Sequence, residues 1–184
     1  MGIDPSLNAT GLALADGSTK TLKQKASDGD YRLVNIRCDV ISAIFPPNRP
    51  HLVVMEDLPR NAMGAGITGQ VQGVIREVLQ AYKVPYLLVS AATLKKFATD
   101  SGRADKKQMR EAWLLYSGID NPRDDEVDAA WLRELGLYLT GQVEDELPHW
   151  DGAVKNLRPA FKKLQLGAAQ WIKGGPAFAQ EEVA

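Results

Sequence analysis

Apolar and polar positions along the chain switch between a period of two and a period near 3.6, and the switches lay out the elements. Gly2-Ile3 reads as the end of a buried strand and Thr10 to Ala15 as a second strand. Pro5, Ser6 and Asn8 favour a turn between them, because proline cannot donate to a ladder and short polar residues close turns. Asp16-Gly17 marks another turn, and Ser18 to Gln24 fits a short third antiparallel strand. Leu33, Ile36, Arg37, Val40, Ile41 and Ile44 keep the 3-4 spacing of a helix that Pro46-Pro47 stops. Leu52-Val53-Val54-Met55 is too short for a helix and suits a strand covered on both faces. A helix follows from about Ile67 to Tyr82, with Val71, Val74, Ile75, Val78, Leu79 and Tyr82 inward. Val84 to Val89 reads as another buried strand. Beyond it come a short helix from Ser90 to Phe97, a helix from Ala104 to Tyr116, and a last one opened by Asn121 as N-cap and Pro122 at its first position.

This order predicts an α/β fold: a mixed sheet of three antiparallel N-terminal strands plus parallel strands, flanked by helices. Composition shifts at Gln142, so residues 1–141 form the expected main domain and 142–184 an appended extension. In that extension Val154, Leu157, Phe161 and Leu164 have the spacing of one amphipathic helix, ringed by Lys155, Arg158, Lys162 and Lys163.

A chain of 184 residues suffices for one domain with a real core, and 45 % apolar with 24 % charged residues is a soluble globular profile. No apolar run is long enough to span a bilayer and no secretory leader pattern opens the chain, so a cytoplasmic protein is expected. Cys38 is the only cysteine, which excludes an intramolecular disulfide and a cysteine-based zinc site; its helical spacing points to a core thiol. His51 and His149 have no companion at ligand spacing and receive no role. Gly69 and Gly73 lie one turn apart, which fits close contact either with the sheet or with a second subunit.

Acidic residues carry the chemistry. Asp4 ends the first strand and Glu56 ends the apolar Leu52–Met55 strand, and ligands in open α/β sheets bind beyond the carboxyl ends of strands. On the last helix Asp124, Asp125, Glu126 and Asp128 crowd the first turns. The helix dipole accounts for Asp124 and Glu126. It does not account for Asp128, which sits among Val127, Ala129, Ala130 and Trp131 and, three residues on from Asp125, shares its face. Asp4, Glu56, Asp125 and Asp128 therefore form a candidate all-oxygen set, of the kind that hard divalent cations prefer. Two such ions, Mg²⁺ with Mn²⁺ as a substitute, would serve in-line hydrolysis of a phosphodiester.

Gly2-Ile3-Asp4-Pro5 followed by Thr10-Gly11 resembles the first motif of the RuvC-type Holliday-junction resolvases, within the ribonuclease-H-like superfamily. Glu56 closing its apolar strand resembles that family's second acidic position, and Asp125-Glu126-Val127-Asp128-Ala129-Ala130 its final motif. Thr93-Leu94-Lys95 through Ala104-Asp105-Lys106-Lys107-Gln108 is similar to the segment with two DNA-contacting lysines, which map to Lys95 and Lys106. The resemblance covers about residues 1–140 and implies a ribonuclease-H-like fold. It also implies a homodimeric metal-dependent endonuclease that cuts four-way DNA junctions and leaves 5′-phosphate and 3′-hydroxyl ends. Metal-holding and catalytic roles then fall to Asp4, Glu56, Asp125 and Asp128. Two positions depart from the pattern: Ser6 replaces a usual glycine, and Leu58-Pro59-Arg60 replaces the aromatic that follows the second acid.

A net charge of −1 argues against indiscriminate coating of nucleic acid and leaves room for a local basic face. Between Ser90 and Arg110 the cations Lys95, Lys96, Arg103, Lys106, Lys107 and Arg110 outnumber Asp100 and Asp105. With Arg60, the residues Lys95, Lys96, Arg103, Lys106 and Lys107 are the expected DNA contacts. A sugar-kinase or chaperone-type ATPase, which also opens Gly-Ile-Asp, needs a second glycine-rich phosphate loop that this chain lacks. A silent junction binder gains nothing from four acids beside phosphate. A broader enzyme acting on forks, flaps and Y-shapes stays open because of the missing aromatic.

Overall fold

The computed structural model describes residues 1–46, 49–58, 65–143 and 146–164. Its five strands are β1 (Gly2–Asp4), β2 (Ala9–Ala13), β3 (Thr19–Lys23), β4 (Val53–Glu56) and β5 (Tyr86–Val89). They form one sheet in the order β3-β2-β1-β4-β5. β1 lies antiparallel to β2 and parallel to β4, and β5 runs parallel to β4. The helices are α1 (Tyr31–Ile44), α2 (Ala65–Ala81), α3 (Ala91–Thr99), α4 (Lys106–Ser117), α5 (Asp124–Leu139) and α6 (Trp150–Val154). The mixed α/β architecture read from the pattern is the one observed.

Side chains alternate across the sheet, so each strand feeds two cores. Ile3, Leu12, Val53 and Met55 point to one face, where Ile36, Val40 and Ile44 of α1 and Val71, Ile75, Val78 and Leu79 of α2 cover them. Ala13, Val54, Leu87 and Val89 point to the other, under Val127, Ala130, Trp131 and Leu135 of α5 and residues of α3 and α4. Gly2, Asp4 and Glu56 share this second face by the same alternation.

Three expectations are corrected. Cys38 is exposed, because the buried stripe of α1 runs through Ile36, Val40, Ala43 and Ile44 and leaves position 38 on the solvent side. The last helix starts at Asp124, not at Pro122. Asn121 instead accepts the Arg123 amide at 3.0 Å and donates to Glu126, closing a turn ahead of the helix. The basic tail helix is not continuous: α6 stops at Val154, a turn covers 155–157, and helix resumes over 158–164, where Pro159 fits the first turn.

The extension also reaches into the main body. Trp150 is fully buried and stacks on Phe97 at 4.4 Å between ring centroids, with Tyr138 and Tyr116 edge-on at 5.3 and 5.5 Å. Ala153, Val154 and Phe161 are buried with it. No helix among the described residues is long and apolar enough to cross a membrane.

Candidate active site

Two glycines decide where the site forms. A Cβ on Gly2 would lie 1.9 Å from the carbonyl oxygen of Ala129, and one on Gly11 would lie 1.9 Å from that of Asp125. The backbone of α5 therefore rests directly on β1 and β2, at positions only glycine can offer. Gly11 pairs across the ladder with Asp4. The Asp4 carboxylate consequently emerges beside the turn of α5 that carries Asp125 and Asp128. Since β1 and β4 are parallel neighbours, Glu56 leaves the sheet at the same end.

Local hydrogen bonds hold this edge. Thr10, fully buried, donates its hydroxyl to the Ser6 carbonyl at 2.6 Å and accepts the Ser6 amide at 3.2 Å, so it clamps the turn after Asp4. Gln72 of α2, also buried, donates to the Glu56 carbonyl at 2.9 Å, and the Asp57 amide donates to Val89 at 2.7 Å. The start of α4 is set by a capping box. Asp105 accepts the Gln108 amide at 2.9 Å, and Gln108 accepts the Asp105 amide at 2.9 Å. Lys106 thus becomes the first residue of a helix that opens toward the acids.

Electrostatics register the crowding. Burial holds the Asp4 carboxyl well above the usual carboxylate range, with the charges of Glu56, Asp128 and Asp125 adding to it and Lys106 opposing. Burial and the neighbouring Asp128 push Glu56 up to about 7, against the pull of Lys95. Burial and Asp124 push Asp128 up to about 6, against Lys106 and Lys95. Asp125 presents a buried carboxylate oxygen, Oδ2, that finds no hydrogen-bond partner. An unpaired buried carboxylate oxygen close enough to Asp4 and Asp128 to raise both is suited to a cation. Among the described residues, no three of these groups already stand as a closed set of metal ligands. The donor chemistry, carboxylate oxygen throughout, fits a hard divalent ion.

Of the expected site residues, the structure brings Asp4, Glu56, Asp125 and Asp128 to one end of the sheet, with Lys95 and Lys106 above them. Lys96, Arg103 and Lys107 are exposed on α3, the α3–α4 loop and α4. Lys107 pairs with Glu111 at 3.6 Å. Arg60 lies outside the described residues, as do Pro59 and the tail from 165. Neither histidine joins the site; His149 Nε2 meets the Phe97 carbonyl at 2.8 Å.

Glu126 is the residue whose importance the sequence concealed. Attribution to the helix dipole misses its real partners. Thr19 and Thr21 of β3 donate to it at 2.7 and 2.9 Å, Asn121 at 3.0 Å and Arg123 at 2.9 Å. Burial works against its charge, yet these bonds outweigh burial and bring the carboxyl down to about 2. It ties the first turn of α5 to the sheet edge, which keeps Asp125 and Asp128 in place. Asp124 has a different partner, Lys106, at 3.0 Å.

No protein-family model matches the chain. A crossover junction endodeoxyribonuclease RuvC from Gloeobacter violaceus is 30 % identical over 176 residues, which cover 88 % of this chain and 95 % of the relative. A RuvC from Rhodopirellula baltica is 28 % identical over 163 residues, covering 79 % and 89 %. The structure of Thermus thermophilus RuvC superposes with a TM-score of 0.59 at 19 % identity, over 77 % of this chain and 95 % of that one. The same protein in complex with a Holliday junction substrate gives 0.60 at 18 % identity, over 77 % and 94 %. At that identity the structures speak for the fold, while the sequence relatives span almost all of both chains. The glycine-seated α5 and the acids at the strand ends belong to a chain of that kinship: the protein is a member of the RuvC family of crossover junction endodeoxyribonucleases.

Proposed function

We propose that the protein resolves four-way DNA junctions by metal-dependent phosphodiester hydrolysis, acting as a homodimer so that two strands are cut in a paired manner. The observation that supports this reading is the convergence of Asp4, Glu56, Asp125 and Asp128 under two lysines at the carboxyl end of β1 and β4. Asp4, Glu56, Asp125 and Asp128 would hold the divalent ions, with Asp4 the acid that feels the other three. Mg²⁺ or Mn²⁺ held there would supply activation of a water and a counter-charge for the leaving 3′-oxygen, the chemistry that leaves 5′-phosphate and 3′-hydroxyl ends.

The chain's own residues do the rest. Lys95 and Lys106 offset the repulsion among the acids and hold the scissile phosphate against them. Thr10 and Gln72 keep the two strand ends from relaxing apart. Glu126 holds the helix that delivers the other two acids. Lys96, Arg103, Lys107 and Arg60 would follow the backbone of the DNA arms. We read residues 1–141 as the nuclease body and 142–184 as its extension, whose first part completes the core beside α3.

Cleavage of a four-way junction, a fork, a flap and a plain duplex, each in Mg²⁺ and Mn²⁺, tests this. The junction is expected to be cut, Asp4→Asn to abolish cutting, and junction binding to survive the substitution. Equal cutting of forks and flaps would shift the reading to a general branched-DNA nuclease, the outcome that Leu58-Pro59-Arg60 in place of an aromatic favours. No cleavage of any branched substrate would end it.

A further inference from the structure

Beyond the carboxylates a groove of about 470 Å³ runs along α4, walled by Lys106, Lys107, Arg110 and Leu114 on one side and by Asp120 and Asp124 on the other. Lys107, Arg110, Glu111 and Leu114 follow the 3-4 spacing of one helix face. Every cation in this groove is matched by a carboxylate that also lines it. Lys106 meets Asp124 at 3.0 Å, Lys107 meets Glu111 at 3.6 Å, and Arg110 meets Asp120 at 3.6 Å. Three positive and three negative charges leave it without net charge. Three of the six cations of the Ser90–Arg110 segment are thus paired in space with acids that lie outside that segment.

The Lys107–Glu111 pair is the most open, at 81 and 59 % exposed; Asp120 is 74 % exposed, while Arg110, at 37 %, also donates Nε to the Asn121 carbonyl at 3.1 Å. Exposed pairs are weak, so a DNA phosphate can take the place of each carboxylate. The exchange has a signature in salt. A free lysine that binds a phosphate releases one counterion from the DNA. A lysine that must first give up a carboxylate leaves that carboxylate to collect a cation of its own, and the two effects offset.

We infer that the α4 groove carries the backbone of a DNA arm leaving the active site, and that Glu111 and Asp120 restrain this contact by occupying Lys107 and Arg110 until phosphates displace them. The inference rests on the junction-nuclease reading and extends it to the path of the arm. Such a track holds a junction that is anchored elsewhere and lets go of a cut product, because little affinity resides in the groove itself.

The test is binding of a four-way junction in EDTA across a series of salt concentrations, with the full chain. Glu111→Gln/Asp120→Asn is expected to tighten binding about three- to tenfold at low salt and to steepen the slope of log K on log salt by about one per acid removed. Adding Lys107→Gln to that variant should take back about one unit of slope. A control, Glu77→Gln/Asp39→Asn, removes two acids from α1 and α2 on the other face of the sheet and should change neither affinity nor slope. An unchanged slope in the groove variant, or an equal gain in the control, overturns the inference. Both variants alter exposed or half-exposed side chains, and matching melting temperatures confirm that the comparison is between folded proteins. The measurement needs no cleavage, so absence of nuclease activity would sink the function reading and leave the groove test standing.

Discussion

Gly11→Ala is the sharpest perturbation the structure offers. A methyl group there would sit 1.9 Å from the Asp125 carbonyl oxygen and 2.5 Å from its carbon. Ordinary contact requires α5 to retreat by about 1.5 Å from β2, and both clashing parties are backbone with no rotamer to yield. Overpacking of this kind costs about 1–3 kcal/mol, and the rigid geometry puts Gly11 at the upper end. The lower backbone entropy of alanine in the unfolded chain returns only about 0.4–1 kcal/mol. A net loss of about 2 kcal/mol, several degrees in melting temperature, is expected. The displaced turn carries Asp125 and lies one turn before Asp128, so cleavage should fall by about a hundredfold, the usual consequence of a misplacement near 1 Å. Denaturant unfolding gives the first quantity and single-turnover junction cleavage at saturating protein gives the second. Gly152→Ala in α6, where nothing lies within 4 Å of the added methyl, serves as the control and should be neutral or slightly stabilising. A Gly11→Ala protein with unaltered melting and cleavage would refute the claim that α5 is seated on bare backbone.

Metal-free protein should lose stability as pH rises from about 4.5 to 7. Glu56 at about 7 and Asp128 at about 6 are raised, so their contribution is full below the ordinary carboxylate range and lost through their folded values. Taken once for the coupled pair, the loss is about 2–3 kcal/mol, and added Mg²⁺ should reverse the trend at pH 7.5 in a melting series. Glu126, lowered to about 2, runs the other way: its contribution is present above pH 4.5 and lost as pH falls toward 2. Glu126→Ala removes the acceptor shared by Asn121, two threonines and the half-exposed Arg123 and should cost about 1–3 kcal/mol in denaturant unfolding. Trp150→Ala should cost about 3–5 kcal/mol, whereas Trp150→Phe should cost no more than about 1.5 kcal/mol, because the indole N–H has no partner to lose; comparable losses in the two would contradict that buried environment.

Much of the sheet could be read before any coordinates, since Ile3, Val53–Met55 and Leu87–Val89 leave strands as the only short elements they can form. Asp4 and Glu56 could be placed at one end because parallel neighbours share their carboxyl edge. Asp128 gave itself away as an acid among core residues. What stayed hidden depends on partners distant in sequence. Glu126 looks like any helix-start acid until Thr19 and Thr21 arrive from more than a hundred positions away. Cys38 lies on the side of α1 opposite the Ile36–Val40–Ala43–Ile44 stripe, and only its thiol's apolar character suggested a core position. Asp120 and Asp124 each pair with a cation of a basic segment they do not belong to, and Trp150 joins a core that composition assigned to the preceding domain.

The seating of α5 on β1 has a consequence for how the protein comes into being. Asp4 is synthesised more than 120 residues before the turn that completes its surroundings. A nascent chain that stops short of α5 has one sheet face covered by α1 and α2 and the other bare, and it lacks Asp125 and Asp128, so the acid cluster and the second core are completed together. Long-range pairing of this kind slows folding. A fragment that ends before α5 therefore lacks two of the four acids that meet at the strand ends.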